Sequence, residues 1–72
     1  MSKLKILSGK EICRILSAHG FFEVRQKGSH IAMQKKTAES TITVIVPDHK
    51  EIKIGTLMSI IRQSGINRNK FE

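Results

Sequence analysis

The stretch over residues 21–36, FFEVRQKGSHIAMQKK, decides the fold of this chain. It contains two runs, residues 21–26 and 31–36, in which apolar and polar residues alternate. A period of two is typical of β-strands that bury one face. Gly28 and Ser29 lie between the runs, and glycine accepts the positive φ that tight hairpin turns require. The stretch therefore predicts a β-hairpin.

A histidine, His30, directly follows the turn of the predicted hairpin. If Ile31 and Met33 face the core, His30 lies on the opposite, solvent-accessible face of the same strand, beside Arg25 and Lys27 of the neighbouring strand. The alternation of the first run predicts two sets on opposite faces: Phe22, Val24 and Gln26 on one, and Glu23, Arg25 and Lys27 on the other.

A helix is predicted before the hairpin, over residues 9–19. Ser8 and Glu11 have the spacing of a capping box, and Gly20 follows where a helix ends in the left-handed conformation. Residues with helical spacing form one face: Ile12, Ile15, Leu16 and His19. His19 is interpreted as a packed or capping residue. Residues 3–6 are predicted to be an extended lead-in.

The remaining elements follow the hairpin. Residues 41–46 are rich in β-branched side chains and predict a third strand, which Pro47 ends. A second helix begins at residues 55–56 and stops at Gly65, and Asn67 caps a last helical turn through Phe71. The core stripe of this helix comprises Leu57, Ile60, Ile61 and Ser64.

The predicted order is α-β-β-β-α, and the fold class is α+β. A three-stranded antiparallel sheet with both helices on one face buries every apolar stripe and leaves the other face wet. The chain of 72 residues predicts a single domain over residues 1–72.

Charge is the main compositional signal. Thirteen Lys and Arg stand against six Asp and Glu, giving a net charge of +7. An excess of this size favours a polyanionic partner, usually nucleic acid. A purely solubilising role is the weaker interpretation, and an acidic protein partner remains open. With no Trp or Tyr and three Phe, base stacking on an aromatic platform is disfavoured, so contacts are expected mainly with phosphates and sugars.

Compartment and cofactors are constrained by what the sequence lacks. Cys13 is the single cysteine, which argues for a reducing environment. The first ten residues lack a signal-peptide core, and no run approaches the ~20 apolar residues of a membrane span. A soluble cytoplasmic protein is expected. Histidines, cysteine and acids have no metal-ligand spacing, so we expect no metal and no cofactor.

His30 is the candidate catalytic residue. With an ordinary pKa of roughly 6.5, an imidazole can take or give a proton near neutrality. Lys27 and Arg25 can hold a phosphate, and the N–H groups of Gly28 and Ser29 can add donors. Ser29 is interpreted as a turn-stabilising hydroxyl and not as a nucleophile. The residues alone leave two roles open for His30, namely proton transfer and a hydrogen bond to phosphate.

A second group of candidates lies further along the chain. Thr56 is at a predicted helix N-terminus, which attracts anions, and Lys50 and Lys53 form a basic face that can steer RNA. His49 is interpreted as a loop residue that orients the Pro47 turn, in narrow preference to a second acid/base role.

The chain resembles the HicA family of toxins from bacterial and archaeal toxin–antitoxin pairs. The resemblance extends over nearly the whole chain and comprises GF at 20–21, RQKGSH at 25–30, VP at 46–47 with His49, GTL at 55–57, IIRQSGI at 60–66, and Phe71. It implies an mRNA interferase with a fold similar to double-stranded RNA-binding domains, in which the histidine of the Gly-Ser-His turn, here His30, is catalytic.

The resemblance also implies partners. A HicB-type antitoxin is expected to cover the active-site face, with the free toxin monomeric and the inhibited form a hetero-oligomer. The main rival function is a noncatalytic module that binds duplex RNA by shape. A weaker third is a decayed nuclease whose basic surface only holds an acidic antitoxin.

Overall fold

The computed structural model describes residues 4–72 and has the predicted α+β architecture. The elements are α1 (Gly9–Ala18), β1 (Phe22–Lys27), β2 (His30–Lys36), β3 (Thr41–Pro47), α2 (Ile54–Ser64) and a 3₁₀ turn (Arg68–Phe71). Of the predicted lead-in, Lys3 lies outside the described residues, and residues 4–8 form neither helix nor strand. The remaining predicted elements are present, with bounds that shift by about one residue.

The three strands form one antiparallel sheet in the order β1-β2-β3. Ile31, Met33, Val44 and Val46 lie on one face of this sheet and are buried, because both helices pack on them. Ile12 and Leu16 of α1 and Leu57 and Ile60 of α2 supply the helix side of this core, which Leu7, Phe21, Ile52 and Phe71 complete. We call this side of the sheet the inner face. The opposite side carries no helix.

The ends of both helices lie within about one residue of the predicted positions. Ser8 accepts a hydrogen bond from the Glu11 N–H at 3.1 Å, and Glu11 accepts one from the Ser8 N–H at 3.0 Å, so the capping box is complete. His19 donates from Nδ1 to the Ile15 carbonyl at 2.8 Å, which satisfies an orphan carbonyl of the last turn. Gly65 ends α2 in the left-handed conformation, with φ of 71°.

The chain after α2 packs against the core. Asn67 caps the 3₁₀ turn by accepting a hydrogen bond from the Asn69 N–H at 3.1 Å. This turn buries Phe71, which is 1% exposed. Within residues 4–72, neither helix is long and apolar enough to cross a membrane.

The prediction for β1 was wrong about which of its side chains lie on the same face of the sheet. The register shifts between Glu23 and Arg25, so Val24 is an extra residue in a β-bulge. Glu23 pairs with Met33 on the inner face, whereas Arg25 pairs with Ala32 on the opposite one. A bulge inserts one residue and reverses the alternation beyond it, which a strict period of two cannot represent.

Candidate functional site

A two-residue loop, Gly28 and Ser29, joins β1 to β2, and the pair Lys27–His30 closes it. Gly28 has φ of 59°, and no other residue of the described chain except Gly20 and Gly65 has a positive φ. A positive φ at the first loop position alone matches a type II′ turn, which favours glycine there. The turn therefore fixes His30 as the first residue of β2.

The helix-free side of the sheet carries His30, and we call it the outer face. Residues paired directly across antiparallel strands point to the same side. Four rows of paired residues make up this face: Lys27–His30–Pro47, Arg25–Ala32–Ile45, Phe22–Gln34–Thr43 and Lys36–Thr41. The side chains of Gln34 and Thr43 meet through a hydrogen bond of 3.2 Å, which confirms that they share this face.

An open concavity of about 510 Å³ lies on the outer face around the hairpin turn. It is lined by residues of the turn and of the two rows next to it: Arg25, Lys27, Gly28, Ser29, His30, Ala32 and Ile45. His30 is exposed, and its partner Lys27 lies with its Cβ about 5 Å away, the usual separation of a cross-strand pair. The floor is apolar and the rim is cationic.

The electrostatics of the outer face are one-sided. Its rows contain Arg25, Lys27 and Lys36, and no row contains an acidic residue. Within residues 4–72 the single ion pair joins Arg68 Nε to Glu72 Oε2 at 3.7 Å, far along the chain. The cations of the concavity are thus available to an anionic ligand.

The hairpin turn is tied to the end of β3. Gln26 Nε2 donates to the Gly28 carbonyl and to Asp48 Oδ2, each at 3.2 Å. The Asp48 N–H donates to the Ser29 carbonyl at 2.6 Å. We call this set of three bonds the turn clasp. It connects the two loop residues before His30 to the residue after Pro47, so the backbone around the imidazole is held from both sides.

His49 anchors the first helix through its backbone. Its carbonyl accepts a hydrogen bond from the Gly9 N–H at 2.8 Å. A Cβ on Gly9 would collide with the Pro47 carbonyl oxygen, so the start of α1 packs directly on the end of β3. The His49 side chain is exposed and does not line the concavity. The interpretation that the His49 side chain orients the Pro47 turn stays a prediction.

The second predicted group lies elsewhere. Lys50 and Lys53 are exposed in the connection between β3 and α2, and Thr56 is exposed in the first turn of α2. Lys53 is the N-cap residue of α2, and that first turn has no side-chain cap and no acidic residue. None of the three lines the concavity.

Among residues 4–72, two pKa values depart from their ordinary range, and both belong to groups on the helix side. Hydrogen bonds from Ser8 hold the pKa of Glu11 below its usual value. Burial raises the pKa of the Cys13 thiol, and the carboxylates of Glu23 and Asp48 raise it further. A thiol of this kind stays protonated near neutrality and is a poor nucleophile.

Metal ligands do not cluster in the part of the chain described. Residues 4–72 contain no group of three or more His, Cys, Asp and Glu side chains close enough to hold one ion.

Several residues of the site escaped the sequence analysis. Ala32 and Ile45 form the floor of the concavity, and Gln26, Asp48 and Gly9 hold its backbone. The positions 26 and 48 meet only because of the strand register, which a single sequence does not encode. The alternation of β2 and β3 was sufficient to put Ala32 and Ile45 on the outer face, and that signal was present.

The fold and the site define a class of small α-β-β-β-α proteins that present a hairpin histidine on an uncovered, cationic sheet face. A family model described as the HicA toxin of bacterial toxin–antitoxin systems matches residues 9–66, which is most of the chain. The chain belongs to the HicA toxin family, and membership implies an antitoxin partner. No curated protein matches it.

Proposed function

We propose that this protein is an endoribonuclease that cleaves mRNA, with His30 as the residue that transfers the proton. The observation that carries the proposal is the exposed imidazole in a concavity whose rim is cationic and whose face has no acid. A polyanion is drawn to such a surface, and the imidazole then stands where its backbone would lie.

The reaction needs a base, a proton donor for the leaving oxygen, and cations beside the phosphate. His30 removes the proton of a ribose 2′-OH, and the 2′ oxygen forms a bond to the adjacent phosphorus while the bond from phosphorus to the 5′ oxygen breaks. The leaving 5′ oxygen receives a proton from the imidazolium or from water. The products are a 2′,3′-cyclic phosphate and a 5′-hydroxyl end.

Charge on the phosphate rises in the transition state. Lys27 is opposite His30 and Arg25 is in the next row, so both can pair with the non-bridging oxygens. The N–H groups of Gly28 and Ser29 are further donors at the same turn. The reaction is proposed to run without a metal, because the rows of the outer face offer no carboxylate ligand.

Lys50, Lys53 and Thr56 are proposed to contact RNA away from the scissile phosphate. The N-terminus of α2 has free N–H groups and no acid in its first turn, which favours an anion there. Their contribution is binding and long-range attraction, and not chemistry.

The antitoxin is proposed to be of the HicB type and to bind the outer face. A partner that covers His30, Arg25 and Lys27 blocks RNA by occlusion. The acid-free surface calls for acidic residues on that partner. The free toxin is proposed to be a cytoplasmic monomer and a single domain, with a hetero-oligomer as the inhibited form.

The test is cleavage of a long mRNA by the purified protein. His30→Ala is expected to lower the cleavage rate by at least about 100-fold, the usual contribution of a positioned acid/base, while circular dichroism shows an intact fold. His19→Gln is the matched control, since the His19 imidazole lies at the end of α1, where it donates to the Ile15 carbonyl, and it should cut normally. Full cleavage by folded His30→Ala would refute the assignment.

The rival function has its own signature. A noncatalytic duplex-binding module would retard RNA without cutting it and would prefer A-form helices.

Cleavage that stops with EDTA and returns with magnesium would contradict the metal-free chemistry.

A further inference from the structure

The outer face carries an apolar strip that the proposed chemistry does not use. The strip consists of Ala32 and Ile45, which pair between β2 and β3, and of Phe22, which lies on β1 in the adjacent row. Phe22 and Ile45 are each 48% exposed. Ala32 and Ile45 already line the concavity at His30.

Phe22 stands apart from the other aromatic residues. All three phenylalanines lie within residues 4–72, and Phe21 and Phe71 are in the core at 3% and 1% exposure. The bulge at Val24 is what allows this division, because it puts Phe22 in phase with Arg25 and Lys27 on the outer face. The one exposed phenylalanine thus shares a surface with the candidate catalyst.

The position of Phe22 suits a flanking nucleotide. It pairs with Gln34, which lies four residues along β2 from His30, a separation of about 14 Å at the rise of a β-strand. Gln34 and Thr43 are its neighbours in the row, and their amide and hydroxyl can form hydrogen bonds with base edges. Cations flank the strip at Arg25 and Lys36.

We propose that the outer face binds single-stranded RNA with its bases on the strip, and that Phe22 stacks on a base further along the strand from the scissile phosphate. The inference rests on RNA being the substrate. An uncovered sheet face with an exposed ring, polar neighbours and unpaired cations can bind the three parts of an unpaired nucleotide, namely its π-face, its polar edges and its phosphate. In a duplex the base faces are already stacked on each other, so the ring has no base to meet.

The first experiment measures binding of 2′-O-methyl RNA, which cannot be cut by its own 2′ oxygen. The probes are a short mixed-sequence strand without self-complementarity and the same strand annealed to its complement. Phe22→Ala is expected to weaken binding of the single strand roughly tenfold, the loss of one base–aromatic stack, and to leave duplex binding within about twofold. Met58→Ala is the matched control, since Met58 is 47% exposed on α2, and it should change neither affinity.

Salt dependence separates stacking from charge. Phe22→Ala should lower the affinity at every salt concentration without changing the slope of log K against log salt. Lys27→Ala should reduce that slope by about one, because it removes a phosphate contact.

Fluorescence gives an independent readout. The chain contains no tryptophan, so Phe22→Trp installs a single reporter that keeps an aromatic face. Its emission should be quenched by the single strand, and its affinity should equal or exceed that of the wild type. Met58→Trp should keep its emission when the same RNA is added.

Two results would overturn the inference. One is single-strand affinity of Phe22→Ala within about twofold of wild type, which would show that the ring does not stack on RNA. The other is an equal loss on both probes, which would indicate recognition of the backbone alone. A wild-type protein that binds single strands through Phe22 but never cuts RNA would instead refute the proposed function and leave this inference standing.

Discussion

The two faces of the sheet are formed by the same strands but differ in burial and in charge. On the inner face, Ile31, Met33, Val44 and Val46 are between 0% and 3% exposed and pack against two helices. On the outer face, the same strands present cations, a histidine and a ring to solvent. The inner face therefore supplies the free energy of folding, and the outer face is left for binding and chemistry.

This separation suits a small domain. A chain of about this length buries only about 60% of the surface that its unfolded form exposes, so its margin of stability is narrow. Placing every buried apolar side chain on one side lets the other side carry unneutralised cations, whose mutual repulsion is screened by water. A lysine and an arginine beside a histidine would be costly inside the core.

The strongest test of the contrast uses neighbouring residues of β3. Val44→Lys places an unpaired charge where the side chain is 0% exposed, and we expect a loss of about 4 kcal/mol or more in the free energy of unfolding. Because small domains have little more than this in total, the variant should be unfolded near room temperature. Urea denaturation followed by circular dichroism measures the effect.

Ile45→Lys is the matched control, one residue away. Ile45 is 48% exposed on the outer face, so the same substitution should change stability by less than about 1 kcal/mol. Equal losses in the two variants would show that the outer face is also structural and would end the division of labour argued here.

A smaller effect is expected at the place where the helix layer meets the end of β3. Gly9→Ala should cost about 1–3 kcal/mol, because the new methyl group meets the Pro47 carbonyl oxygen and the backbone must move. Thermal denaturation of the two proteins provides the measurement.

Gly55→Ala is the comparison for this substitution, also in the first turn of a helix. Nothing lies within 4 Å of the Cβ that it would add, so it should raise stability by about 0.5 kcal/mol through helix propensity. Stabilisation by both alanines would mean that α1 does not press on β3.

The sequence predicted the inner face far better than the outer one. Helix stripes, the capping box and the β-branched run of β3 are local signals, and each maps to an element that the structure contains. The turn at Gly28 was equally local, since a positive φ is a property of one residue. These signals together were enough for the α-β-β-β-α order.

The outer face depends on register, which is not local. The bulge at Val24 decides that Phe22 lies with Arg25, and no residue type near it announces an extra residue in the strand. The bond between Gln26 and Asp48 joins positions 22 residues apart. Sequence reasoning placed His30, Arg25 and Lys27 together, but it had no means of finding the groups that hold their backbone.

The smallest effect on stability is expected at the turn clasp, which joins the hairpin turn next to His30 to the end of β3. Gln26→Met keeps the length of the side chain and removes its amide, so both bonds from Nε2 are lost. Because these bonds are solvent-exposed, the cost in stability should stay below about 1 kcal/mol. The hairpin turn should nevertheless sample more conformations, and His30 with it.

Two measurements report this loosening. The Asp48 amide, which donates to the Ser29 carbonyl, should exchange its hydrogen faster, and kcat for RNA cleavage should fall several-fold while KM stays close to wild type. Gln63→Met, an exposed glutamine on α2, should alter neither quantity. Unchanged exchange and unchanged kcat in Gln26→Met would mean that the two-residue loop holds the imidazole without help, and that the outer face owes its geometry to the strands alone.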